Sequence, residues 1–214
     1  MSTERPTILY VMDPLCGWCF GFSPVVMSLY ESYRDRYDFK VVPGGMITGA
    51  RVEPVAAMAG YILKAYTRVE EMSGVKFGQP YLDMLRAGTE ISNSVPPCQA
   101  LHVLQELQPG RGVEHAHQLQ RALFMDGYSW NDRETYVHLA RLFDLNPDRF
   151  LERWESQEAQ YSTVQDFQWV QAAGITGFPC LVYQKGDQYL LIASGFQPQE
   201  AVEATIKRIE ESMP

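Results

Sequence analysis

Residues 7–13, TILYVMD, form a short apolar run rich in β-branched and aromatic side chains. This pattern predicts a buried strand that Asp13-Pro14 ends. The period then changes. Phe20, Phe22, Val25, Val26, Leu29 and Tyr33 share one face at helical spacing. A helix is therefore expected from Cys16 onward, with Pro24 as a point where it kinks or divides. The run DFKVVPGG at 38–45 predicts a second short strand, closed by Pro43-Gly44-Gly45. The chain thus begins as β-α-β.

The middle reads as entirely helical. Val52, Val55, Met58, Ala59, Ile62, Tyr66, Val69 and Met72 recur at helical spacing until Gly74 stops them. A short helix is expected around Tyr81 to Arg86. Pro96-Pro97 opens another, with Leu101, Leu104 and Leu107 on one face, and Pro109-Gly110 ends it. A helix from Val113 to Met125 follows. Asn131 and Glu134 have capping-box spacing for a helix through Phe143. Asn146-Pro147 is an N-cap and first-turn proline for the helix of Phe150, Leu151 and Trp154. The last third returns to mixed structure. Val164, Phe167, Val170 and Ala173 predict a helix ended by Gly174. FPCLVY (178–183) and QYLLIASG (188–195) predict a hairpin turning at QKGD, and Pro198 starts a terminal helix with Val202, Ile206 and Ile209 inward. No repeats or low-complexity tracts interrupt this order. Removing the helical middle leaves pieces that complete one small α/β domain, so the middle is an insertion.

Composition narrows the class. The chain has 214 residues, 46% of them hydrophobic, and a formal charge of −8. That suffices for a sizeable core and argues against nucleic acid or an anionic membrane as partner. No apolar run is long enough to span a bilayer. The polar start, Met1-Ser2-Thr3-Glu4-Arg5-Pro6, and the short apolar stretch after it do not form a signal peptide. The expectation is a cytoplasmic protein. A reducing cytosol disfavours permanent disulfides, so a close cysteine pair there is redox-active or metal-binding.

Such a pair is present. DPLCGWCFGF (13–22) places Cys16 and Cys19 two residues apart where strand gives way to helix. Exchange chemistry needs an exposed sulfur that ionises near neutral pH, a second sulfur within reach, and a surface that aligns the substrate. Cys16 falls where orphan backbone N–H groups and the helix dipole stabilise a thiolate, opposed by the acidic chain and by Asp13 in particular. Cys19, one turn further in, is the expected resolving thiol. GITGFPC (174–180) offers the surface: a cis Pro179 would turn the backbone of Phe178 outward to pair with a substrate chain. Gly17 and Trp18 complete the motif as modulating residues.

Together, YVMDPLCGWCFGFSP, the helical insertion and GITGFPCLVY resemble the DsbA family of oxidoreductases, nearest its signal-less, cytosolic, FrnE-like branch. The resemblance covers nearly the whole chain. It implies a thioredoxin fold from residues 1–45 and 160–214, with an all-helical domain, 46–159, inserted after the second strand. It implies a nucleophilic Cys16, a resolving Cys19, a cis Pro179 beside them, and thiol–disulfide exchange without a bound cofactor. A thiol- or disulfide-containing protein or small molecule is the implied substrate, with glutathione a candidate co-substrate.

Other readings remain open on residues alone. A zinc site would need four sulfurs to converge, and the other cysteines, Cys98 and Cys180, are unpaired in sequence. Cys180 is either a third sulfur beside the site or a small hydrophobe in the sheet. Cys98 is either a second reactive thiol or a packing residue. His102, His115, His117 and His138 form no ligand pair. Met58, Tyr61, Tyr66, Met84, Phe124, Met125, Tyr128 and Trp130 either line a groove or fill the core. Kappa-class glutathione transferases and 2-hydroxychromene-2-carboxylate isomerase share the inserted fold, but with a serine where Cys16 stands, and they would leave Cys19 without a task. A non-enzymatic docking or chaperone role is the third class. Sequence gives no oligomeric state.

Overall fold

The computed structural model describes residues 5–212. Residues 1–4, which hold most of the polar start noted above, and residues 213–214 lie outside the described residues. Strand β1 (Thr7–Met12) leads into α1 (Gly17–Tyr33) and then β2 (Asp38–Pro43). The two strands are parallel, in register from Thr7 opposite Asp38 to Met12 opposite Pro43. Residues 53–154 carry β3 (Glu53–Pro54), α2 (Ala56–Ser73), α3 (Gln79–Ala87), β4 (Ile91–Ser92), α4 (Val95–Leu107), α5 (Gly112–Phe124), α6 (Arg133–Leu142) and α7 (Pro147–Trp154). The chain closes with α8 (Gln157–Ala172), β5 (Cys180–Lys185), β6 (Gln188–Ser194) and α9 (Gln199–Ser212).

The main sheet has the order β2-β1-β5-β6, with β1/β5 and β5/β6 antiparallel. Strand alternation sends its side chains to two clusters. Ile8, Tyr10, Met12, Leu181 and Tyr183 face one side, packed with Phe22, Val26 and Leu29 of α1 and Val202, Ile206 and Ile209 of α9. Leu9, Val11, Val42, Cys180 and Val182 face the other, against Val170 of α8. β1 is buried on both faces, which is why its sequence is continuously apolar. The first cluster continues without a break into Leu101 and Leu104 of α4 and Leu119 and Leu123 of α5.

The insertion also finishes the sheet. β2 is an edge strand, and its exposed backbone needs a partner. Gln105 of α4 supplies one: its Oε1 accepts from Val41 N (3.1 Å) and its Nε2 donates to Val41 O (3.0 Å). Gly112 makes room, since a Cβ there would sit 2.4 Å from Gln105 Oε1.

Several elements differ from the sequence expectation. α1 runs as one helix through Pro24, whose side chain is exposed, so the proline does not divide it. The middle is not wholly helical: Glu53 pairs with Ser92 and Pro54 with Ile91. The N-cap of α6 is Asp132, accepting from Glu134 N at 3.0 Å, rather than Asn131. Asn131 is instead engaged with β4, donating to Ile91 O at 2.7 Å. α8 begins at Gln157, capped by Ser156, well before Val164. Its buried positions include the small Ala159 and Thr163, so the inward face was masked, and Val164 points outward at 44% exposure. β5 starts at Cys180, after the cis Phe178–Pro179 bond.

Gln105→Leu strips both backbone groups of Val41 of their partners and is expected to cost about 1–3 kcal/mol, lowering Tm in a circular-dichroism melt; an unchanged Tm would show that the edge is satisfied otherwise. His115 is fully buried, edge-on to Phe143 with centroids 4.5 Å apart, and its Nε2 lies 3.1 Å from Gln108 Oε1. Burial, then the charge of Arg111, pushes its pKa from 6.5 down to about 4. The unfolded chain binds this proton more readily, so the contribution is whole above about pH 6.5 and is lost as pH falls toward 4. Urea unfolding at pH 7 and pH 4.5 is expected to show a smaller acid loss for His115→Phe than for the parent.

Candidate active site

Cys16 is the N-cap of α1, with extended backbone at φ −82°, ψ 111°. Its N–H donates to Asp13 O at 3.0 Å. This closes the turn out of β1 and aims Sγ at the open first turn of the helix. Cys19 N donates to Cys16 Sγ at 3.2 Å. The Cys16 thiol faces the Phe178 carbonyl at 3.6 Å, across the cis peptide bond that precedes Pro179. The two cysteines and the 178–179 pair therefore meet at one point. Cys16 is only 5% exposed, a narrower opening than an exposed nucleophile would have, and Cys19 is fully buried. Tyr10 Oη donates to Cys19 O at 3.2 Å and steadies that turn. Burial first, then the hydrogen bond and charge of Cys16, holds the Cys19 thiol well above its ordinary pKa.

Asp13 lies beneath this point, with no exposed surface. Its Oδ1 accepts from Leu15 N (2.9 Å) and Ser94 Oγ (3.0 Å), and its Oδ2 from Met46 N (2.7 Å) and the Cys98 thiol (3.7 Å). Burial raises its pKa, and these four donors oppose the rise. One carboxyl group thus gathers the β1–α1 turn, the segment after β2, and the start of α4. Gln120 Nε2 of α5 approaches Asp13 O at 3.5 Å.

Neighbouring residues form the rim. A Cβ on Gly44 would lie 2.1 Å from the Phe178 ring, and one on Gly45, at φ +63°, 2.7 Å from the Phe167 ring. Both positions need glycine for the aromatic rings to seat. Trp18, half-buried, packs on Phe196 at 6.2 Å between centroids, and Gly195 N donates to Pro179 O at 2.8 Å. Gly17 has space: the nearest atom to a Cβ is Phe77 Cζ at 3.6 Å.

Cys98 and Cys180 stand apart from the pair. Cys98 is fully buried and spends its thiol on Asp13; burial and that neighbouring charge raise its pKa. Cys180 belongs to the cluster on the opposite face of the sheet, and burial pushes it up to about 11. All four cysteines are free thiols. Among the described residues no group of three or more His, Cys, Asp and Glu is arranged to hold a metal. Of the aromatic and methionine positions in the insertion, Phe124 and Trp130 are core, whereas Met58 and Tyr61 of α2 are exposed. Among the described residues no helix is long and apolar enough to cross a membrane.

The profile of the family described as thioredoxin matches residues 9–204. The chain belongs to the thioredoxin family. The fold, with its helical insertion between β2 and α8, is similar to that of a Streptomyces coelicolor structure described as a candidate DsbA oxidoreductase, at a TM-score of 0.72 and 19% identity over 98% and 92% of the two chains. A Nitrosomonas europaea structure described as a candidate protein disulfide isomerase is similar at a TM-score of 0.87 and 25% identity, over 99% of this chain and 100% of the other. The cytosolic disulfide reductase DsbM of Pseudomonas aeruginosa shares the fold at a TM-score of 0.80 and 23% identity, over 96% and 99% of the two chains. That protein has also been solved with GSH, at a TM-score of 0.77 to this chain. Among curated proteins, the ClpXP adapter protein SpxH of Halalkalibacterium halodurans is 21% identical over 187 residues. That match covers 84% of this chain and 59% of the length of SpxH.

Within this thioredoxin-family site, sequence reading missed Ser94, Cys98 and Met46 as partners of Asp13, and Phe196 as the partner of Trp18. No local pattern marks them: Met46 bonds through its backbone N–H, and Ser94 and Cys98 lie at the head of α4, about eighty residues from Asp13. Asp13→Ala leaves three or more buried donors without an acceptor. It is expected to cost about 3 kcal/mol or more and to lower Tm by roughly 6–12 °C. An unchanged melt would refute the anchoring role of the carboxyl group.

Proposed function

We propose that the protein is a thiol–disulfide oxidoreductase working through Cys16 and Cys19. The observation that carries this reading is Cys16 Sγ set between the Cys19 N–H and the Phe178 carbonyl. The Cys16 thiolate attacks one sulfur of a substrate disulfide, forming a mixed disulfide and releasing the first substrate thiolate. Cys19, having lost its proton, attacks Cys16 Sγ. This frees the second thiolate and leaves a Cys16–Cys19 disulfide, so two electrons have passed to the substrate. Two equivalents of a thiol return the dithiol. Glutathione is the thiol we assign to that step, in line with the GSH-bound state of DsbM, and no resident cofactor is needed. Phe178 O and the cis Pro179 edge align the substrate chain, while Trp18 and Phe196 wall the opposite side. Disulfide-bearing proteins or small molecules are the substrates, and the cytoplasm is the compartment, on the fold likeness to a cytosolic reductase. The FrnE-like assignment rests on the same likeness together with the CGWC motif.

A glutathione transferase or isomerase of the kappa or 2-hydroxychromene-2-carboxylate type would not use a second thiol. Cys19 directly against Cys16 favours the dithiol. The adapter relative supports a second reading, in which the chain docks a protein without redox turnover. Cys16→Ser separates the two. It is expected to reduce insulin-disulfide reduction to the uncatalysed rate, while Cys19→Ser accumulates a mixed disulfide visible by mass spectrometry. In the reduced native protein, iodoacetamide is expected to label Cys16 ahead of Cys19, Cys98 and Cys180. Full activity in Cys16→Ser would reject the exchange mechanism.

A further inference from the structure

A cleft opens beside Phe178, and Cys16 is not among its lining residues. It has a volume of about 520 Å³, within the range of small-ligand sites. One wall is the segment after β2, with Gly44, Gly45, Met46 and Arg51; the other is the end of α8 and the loop leading to Pro179, with Phe167 and Thr176. The Phe178 ring lies against Gly44 and lines the cleft, while the carbonyl of the same residue faces Cys16 Sγ. A chain leaving the sulfur of Cys16 along the 178–179 edge would run into it.

The lining has one ionic side chain, Arg51, and no acid. This is notable in a chain of formal charge −8. Arg51 Nη2 donates to Gly45 O at 3.3 Å, which tethers the guanidinium at the mouth of the cleft. Among the described residues it has no carboxylate within salt-bridge distance. Its remaining N–H groups form a fork suited to a carboxylate. Met46, Phe167 and Phe178 give the same cleft an apolar lining.

We propose that this cleft is the substrate subsite for a short thiol peptide bearing a carboxylate, and that Arg51 reads that carboxylate and sets specificity. The proposal rests on the exchange reading above and adds where that thiol is held and which residue selects it. Calorimetric titration with S-methylglutathione, which cannot exchange, tests it. Saturable binding to the parent protein is expected, weakened roughly 5- to 10-fold by Arg51→Ala and further by Arg51→Glu. The analogue esterified at its glycine carboxylate is expected to bind the parent as weakly as the free acid binds Arg51→Ala, with no added loss in that variant. No binding by the parent, an unchanged affinity in Arg51→Ala, or equal weakening of acid and ester would overturn it. Turnover of hydroxyethyl disulfide by the parent reports separately on Cys16. Turnover without peptide binding would reject the cleft and keep the exchange chemistry; Arg51-dependent binding without turnover would do the reverse.

Discussion

The site depends on one buried carboxyl group. Asp13 is removed from water and so must be compensated internally. It receives donors from its own turn, from the segment after β2, and from the head of α4. Those three pieces are distant in sequence, yet each carries part of the surroundings of Cys16. The turn sets the Cys16 N–H on Asp13 O, the β2 segment brings Gly44 under Phe178, and α4 brings Cys98 beneath both. Losing the acceptor would loosen all three at once.

The helical insertion therefore belongs to the same packed body as the sheet. Its α4 completes the β2 edge through Gln105, and its leucines share the cluster that holds β1 and α1. A small sheet of four strands with one helix on its second face would otherwise expose much apolar surface and an unpaired edge. Precision at the cysteines thus comes from packing around them rather than from the four-residue motif alone.

Much of this was legible in the chain. A continuous apolar run gave β1, because a strand buried on both faces needs no alternation. CGWC marked the strand–helix junction at which Cys16 caps α1, the candidate site, since a helix start presents unpaired N–H groups to a sulfur. The cis proline was anticipated from Gly-Phe-Pro before a strand. The illegible parts share a cause. α8 hides its inward face behind Ala159 and Thr163, so hydrophobic spacing pointed to the wrong stretch. Asn131 looked like a cap, but a long-range bond to Ile91 claimed it. Ser94 and Cys98 reach Asp13 across about eighty residues. Local pattern carries local pairing, whereas contacts chosen by tertiary closure leave little trace in it.

The placement of the two remaining sulfurs has a further consequence. A protein that passes through mixed disulfides risks scrambling, in which an internal thiol intercepts the intermediate and strands it in a dead-end pairing. Here the sheet works as a partition. Cys180 sits opposite Val11 on the face turned away from the dithiol, and Cys98 is occupied by a carboxylate. Under the proposed exchange, this placement would leave Cys16 and Cys19 as the one pairing open among the four thiols.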